Sequence, residues 1–314
     1  MLFFSQAGKH LDEFQQDMEN TYRVKVNTEI EEFLGVQLSF SDSSLRLSQA
    51  KKIKTLIDTF DLTEGKLVDI PMQTGLTLEP DTEQKMVNTK PYQSIVGSLF
   101  FTARCVRGDI LHAVNQLTRC MSAPTIQHYR AAKRVARYLM ATKDYSLTFR
   151  RSGRVQLKHP WIITAYCDAN YKKLKDNYCT IGGVIYLNNN LYKYSCKKLS
   201  AVIPQSTCEA EFLSIHFIVK QVQALRNFLQ DLGLLYENPV IWNDNESAIA
   251  VALSKKVMKR VEHIILKYLK IRKVFRTGEM ELHHIASERN IADGLTKNLP
   301  CRQFCVFGAA LLGD

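Results

Sequence analysis

The chain has 314 residues, 46% of them hydrophobic and 23% charged, which describes an ordinary globular protein with a full core, roughly two domains long. Its 42 lysines and arginines against 31 acids leave a formal charge of +11; such an excess suits a polyanionic partner through counterion release, although charge alone serves solubility equally well. No apolar run nears the ~18 residues of a membrane helix, Met1-Leu-Phe-Phe4 is too short for the apolar region of a signal peptide, and the eight cysteines never form a Cys-x-x-Cys pair, which argues against structural zinc.

In chain order, Leu11, Phe14, Met18 and Tyr22 recur at helical spacing and predict a helix over 5–25. A strand pair follows, Phe33–Phe40 and Leu45–Ser48, joined by a Ser/Asp turn, then a basic helix from Gln49 to Phe60. Residues 69–91 carry Pro71, Pro80 and Pro91 and read as a loop. Helices are expected over 92–105 and 109–121. Ser122-Ala-Pro-Thr125 then caps a helix from Ile126 to Thr142. That helix has Tyr129, Ala132, Ala136 and Leu139 on one side and Arg130, Lys133, Arg134 and Arg137 on the other. A boundary is expected near 150–160.

Beyond it the rhythm changes. The alternating run Trp161–Asp168 predicts a strand ending on an acid, and Ile181–Leu187 and Leu191–Cys196 predict a hairpin around an Asn-rich turn. A helix over 207–232 has Phe212, Ile215, Val219, Val222 and Leu229 on its core side; Gly233 stops it. Strand 239–243, a helix from 246, a basic helix reaching Arg276, strand 279–285 and a short helix from Asn290 complete a mixed α/β sheet. The stretch Lys255–Arg276 holds nine basic residues, among them Lys255, Lys256, Lys259, Arg260, Lys267 and Lys270, and a single acid, Glu262. That imbalance favours nucleic-acid contact.

Four acids are placed so that they can converge: Asp168 at a strand end, Glu211 early in a long helix, Asp244 at a second strand end and Asp293 at a helix start. Each has a bland alternative. Glu211 and Asp293 can complement helix dipoles, Asp244 can cap the following helix, and Asp168 can be a polar strand end. His283 and His284 suit solvent-facing positions in a strand.

The segments Tyr166-Cys-Asp-Ala-Asn170, Ser206-Thr-Cys-Glu-Ala-Glu-Phe212, Asn243-Asp-Asn-Glu-Ser-Ala-Ile249 and Asn290-Ile-Ala-Asp-Gly-Leu-Thr-Lys297 make residues 160–300 resemble the ribonuclease H domain of copia-type long-terminal-repeat retrotransposon Pol polyproteins. Residues 30–149 resemble the end of the reverse transcriptase of the same polyproteins, through Phe33-Leu-Gly-Val36, Leu47-Ser-Gln49, Tyr92–Leu99 and Ala131–Leu139. The resemblance implies an α/β fold: a ribonuclease H-like mixed five-stranded sheet with helices, preceded by a mainly helical thumb and connection region. It divides the chain into a reverse-transcriptase remnant at 1–155, a ribonuclease H-like domain at 156–300 and a tail at 301–314.

It also implies two Mg²⁺ ions, replaceable by Mn²⁺, with Asp168 bridging both, Glu211 and Asp244 holding the first and Asp293 the second. The substrate would be an RNA–DNA hybrid, the wider partner the rest of a Pol polyprotein, and the location cytoplasmic virus-like particles or the nucleus. In the family a Tyr-x-Asp-Asp motif precedes a segment like Met1–Phe4. The chain as given starts after it, so no DNA synthesis is expected from this chain alone. Two departures, Glu262-His-Ile-Ile265 for Lys-His-Ile-Asp and Arg107-Gly-Asp-Ile110 for Arg-Pro-Asp-Ile, motivate the alternative of a non-catalytic nucleic-acid-binding remnant, the product of a pseudogene. An integrase is ranked last, because it needs another acid order and a His/Cys zinc module.

Overall fold

The computed structural model describes residues 9–22, 30–78, 86, 88–151, 159–172, 178–199, 204–254 and 265–313. The predicted basic stretch at 255–264, with Lys255, Lys256, Lys259, Arg260 and His263, lies outside the described residues.

The first half is mainly helical. Helix α1 (Lys9–Tyr22) leaves Phe14 and Tyr22 exposed, whereas α2 (Ala50–Thr59), α3 (Lys90–Cys105), α4 (Leu111–Thr118) and α5 (Ile126–Ala141) bury apolar stripes against one another. Thr125 caps α5 through a reciprocal pair with His128: each backbone N–H donates to the other's side chain. A four-stranded antiparallel sheet accompanies the helices, β1 (Glu32–Phe33), β2 (Val36–Phe40), β3 (Ser44–Ser48) and β4 (Leu147–Arg150). The hairpin β2–β3 agrees with the sequence pattern; β4 returns about a hundred residues later to close the edge.

The second half contains the expected mixed sheet, in the order β7 (Asn190–Leu199), β6 (Tyr178–Leu187), β5 (Ile163–Lys172), β8 (Val240–Asn243), β9 (Glu281–His284). Strands β7, β6 and β5 are antiparallel; β8 and β9 join in parallel, reached through α6 (Thr207–Asp231) and then through α7 (Glu246–Leu253) and α8 (Ile265–Arg276). One departure matters: β5 runs on to Lys172, so Asp168 lies inside the strand rather than at its end. Asn170 and Lys172 hide the extension by breaking the apolar run, yet residues 169–172 pair with β6 in unbroken register.

Side-chain alternation splits the sheet. Ile163, Ala165 and Cys167 enter a core beneath α6, which contributes Phe212, Ile215, Val219 and Val222. The opposite face, with Val184, Tyr186, Tyr194 and Cys196, joins the helical core of the first half. Helix α9 (Cys301–Leu312), in the stretch expected to be a tail, drives Phe304, Phe307 and Leu311 into that same core and sets Phe304 edge-on to Tyr138 at 5.5 Å. Among the described residues no helix is long and apolar enough to cross a membrane.

Candidate metal centre

Asp168 sits on β5 with no exposed surface, on the sheet face that looks towards the turn Ile291–Leu295. Directly across the ladder from it is Gly182. A Cβ there would come within 2.8 Å of Thr296 and 2.9 Å of Leu295, so only glycine lets the turn descend onto the sheet beside Asp168. Asn290 starts that turn by accepting from Ala292 N–H, and its amide donates to Cys167 O at 3.1 Å, fastening the turn to β5. Gly294 repeats the device outward: a Cβ would strike the Phe307 ring at 2.4 Å, so α9 can back the turn closely.

The outcome is a cluster. Asp168, Asp244 and Asp293 each present a carboxylate oxygen, all within 4.8 Å of one another. Asp168 accepts from Lys297 Nζ at 3.2 Å and from the Thr296 hydroxyl; Asp293 accepts from the same ammonium at 3.0 Å. Asp244, at the end of β8, accepts from Ser287 Oγ at 2.7 Å, and its other oxygen is buried with no partner among the described residues. Glu211 stands outside this triad, 4% exposed, held by Asn243 Nδ2 at 3.0 Å; the same amide donates to Cys167 O.

Neighbours perform the bland roles that these acids might have had. Ser206 and Glu209, not Glu211, cap α6: Ser206 accepts from Glu209 N–H, and Glu209 accepts from Gln205 N–H. Asn245, not Asp244, caps α7 by accepting from Ala248 N–H at 2.9 Å. Asp168 is buried rather than a solvated strand end.

Electrostatically the cluster is strained. Burial, reinforced by Asp168, pushes Glu211 up to about 8, against the opposing pull of its Asn243 hydrogen bond. Burial and Asp168 likewise push Asp293 up to about 7, with Lys297 pulling it back. Burial disfavours the charge on Lys297, but Asp168 and Asp293 outweigh it and hold the ammonium above the ordinary lysine range. Close carboxylates that resist ionising, one orphaned oxygen and an all-oxygen donor set fit a hard divalent cation such as Mg²⁺.

The basic residues expected to meet nucleic acid are less uniform. Of these four basic residues on α5, Arg130 is exposed; Lys133 lies over the Tyr129 ring at 4.9 Å, and Arg134 and Arg137 are partly covered. Lys267 and Lys270 on α8, with Lys220 of α6, surround His216, whose burial and cationic neighbours push it down to about 4. His283 is exposed, 2.9 Å from Glu281 and tilted against the Trp242 ring at 5.4 Å; His284 is exposed beside it.

Sequence reasoning gave no role to Thr296, Lys297, Asn243 or Ser287. The first two stand inside the quoted segment Asn290–Lys297, and Gly182-Gly183 within an apolar strand is the signal for a close approach.

No family model matches the chain. Over 297 residues, 94% of its length, it is 31% identical to the retrovirus-related Pol polyprotein from transposon RE1 of Arabidopsis thaliana; for transposon RE2 of the same plant the figures are 280 residues, 88% and 32%. The chain spans only 20% and 19% of these polyproteins, about a fifth of their length. A putative transposon Ty5-1 protein of Saccharomyces cerevisiae is 30% identical over 224 residues, 71% of each chain. Among solved structures, a ribonuclease H1 isolated from compost shares 21% identity and a TM-score of 0.34, covering 43% of this chain and 91% of that one. The strand order, not that likeness, carries the fold.

Proposed function

The chain belongs to the retrovirus-related Pol polyproteins of transposons, and from that premise we propose that residues 156–300 form a nuclease domain of the copia type that hydrolyses the RNA strand of RNA–DNA hybrids. Residues 1–155 would then be the end of the reverse transcriptase, and the chain a part of a larger polyprotein acting in virus-like particles or the nucleus. The observation that carries the reading is the convergence of Asp168, Asp244 and Asp293 from two strands and a turn, with Glu211 immediately behind.

Asp168, Asp244 and Asp293 would hold the cations, Asp168 shared between two of them, with Glu211 completing the set beside Asp244. Two bound Mg²⁺ ions would align a water, neutralise charge on the transferring phosphorus and assist the leaving oxygen. The protein's own part is orientation. Thr296 fixes one oxygen of Asp168, Ser287 fixes one of Asp244, and Asn243 locks Glu211 to the strand that bears Asp168. Lys297 offsets part of the repulsion: its ammonium bonds Asp168 at 3.2 Å and Asp293 at 3.0 Å and pulls Asp293 down against burial and Asp168.

The same ammonium favours a second reading. Because Lys297 is ion-paired with two of the triad's carboxylates, the cluster also fits a metal-free structural knot in a nucleic-acid-binding protein without catalysis. A Mg²⁺-dependent assay on a labelled hybrid separates the two. Asp168→Asn is expected to abolish cutting while hybrid binding persists; cutting at the wild-type rate in that variant would sink the nuclease reading, and no cutting by the wild type would favour the knot.

A further inference from the structure

A cavity of about 170 Å³ shares a wall with the carboxylate cluster. Its lining comes from both halves of the chain: Gln116 and Arg119 at the end of α4, Asn170 of β5, Thr180 of β6, and Lys297 and Asn298 after the turn. The volume is several times the ~30 Å³ that a water molecule occupies in the liquid, enough for a tetrahedral oxyanion.

Among the described residues that line it, Arg119 and Lys297 carry positive charge, His112 offers an imidazole, and hydroxyls and amides supply the remaining polar groups; the Lys297 ammonium also pairs with Asp168 and Asp293. Arg119 Nη2 donates to Thr180 Oγ1 at 2.8 Å, which holds the guanidinium against the sheet. Gln116 Nε2 donates to Asn298 Oδ1 at 2.9 Å, and Asn298 Nδ2 donates to Leu76 O at 3.0 Å, which ties the two halves around the opening. Asn170 Nδ2 donates to Thr296 O at 2.9 Å, so the cavity wall and the Asp168 partner are one piece of backbone.

We propose that this cavity is a phosphate subsite that takes a backbone phosphodiester of the bound hybrid next to the bond being cut. The proposal rests on the nuclease reading for its ligand. It goes further in making the grip a joint product of both halves: Arg119 comes from the first, Lys297 from the second. A planar guanidinium beside a point-charge ammonium suits the spread oxygens of a phosphodiester. Contacts of this kind set the register of the duplex rather than read its bases.

The test uses the full chain, a labelled RNA–DNA hybrid and chelator to prevent cutting, with affinity measured from 50 to 200 mM salt. Arg119→Gln is expected to weaken binding and lower the slope of log K against log salt by about one. Arg119→Lys keeps the slope. Thr180→Ala removes the same hydrogen bond but not the charge, and is expected to leave the slope unchanged. A wild-type slope in Arg119→Gln, or an equal loss of slope in Thr180→Ala, would overturn the subsite. A parallel Mg²⁺ titration of thermal stability in Arg119→Gln should match wild type; a wild type that gains nothing from Mg²⁺ counts against the nuclease reading and leaves the slope result to decide the subsite.

Discussion

At the scale of single residues, the site is a set of charges that are costly to keep together without a cation. Glu211 and Asp293 are both raised above the ordinary carboxylate range, to about 8 and about 7. A raised acid favours the folded state while it is protonated. Its stabilisation is therefore complete below the unfolded pKa, near 4, and is lost as pH climbs through the folded value. In chelator, Tm should fall steadily from about pH 4.5 to about pH 8 and then level off; with Mg²⁺ present, which favours the carboxylates, the decline should shrink. Scanning calorimetry across that range checks it, and a Tm that rises over the interval would contradict the burial of these acids. That Asp168, Asp244 and Asp293 can converge was legible in the sequence from their order along strands and turns; Glu211 stands outside that triad. Lys297 and Thr296 were not given roles, since a lysine just past the end of a short turn has many ordinary uses, and only the approach allowed by Gly182 brings it to Asp168.

Among the elements, the short helix Gly108–Ile110 shows how a departure from the family pattern is absorbed. Arg107 and Asp109 are paired at 2.6 Å with no exposed side-chain surface; Arg107 also reaches Thr142, and Tyr138 donates to Asp109, so the turn is riveted to the end of α5. Glycine at 108, where the family has proline, lies under the Tyr194 ring, which a Cβ would meet at 2.9 Å. Removing one partner of a buried pair leaves an uncompensated charge, so Asp109→Ala should cost about 3–5 kcal/mol. Urea unfolding measures this, and a loss below about 1 kcal/mol would mean that the network is relaxed by water. Long amphipathic elements such as α5 and α6 could be read from their spacing: Ala132, Ala136, Phe212, Ile215 and Val222 are buried as expected. Strand β4 could not, being four residues whose partner lies a hundred positions earlier. Helix α9 was missed although Phe304, Phe307 and Leu311 recur at helical spacing, because exposed Cys305, Val306 and Ala309 blur that stripe with apolar residues on the other side.

In the molecule as a whole, the two halves are not independent. One core takes in α2–α5, one face of the β5–β9 sheet and α9, and α9 braces the turn that carries Asp293. The first half thus supports the carboxylates from behind, through Phe307 against Gly294, and furnishes Arg119 beside them. Length suggested two domains, and the change of rhythm a boundary near 150–160; the shared packing depends on contacts between residues far apart in the chain, which no local pattern announces. What all of this turns on is whether Asp168, Asp244 and Asp293 bind a divalent cation together. Thermal unfolding of the full chain with increasing Mg²⁺ asks that directly. At a concentration ~100 times the Kd, binding to the folded state alone adds about 2.7 kcal/mol, so Tm should rise by several degrees in the wild type and by far less in Asp168→Asn. Equal Tm values with Mg²⁺ and with chelator in the wild-type protein would contradict it.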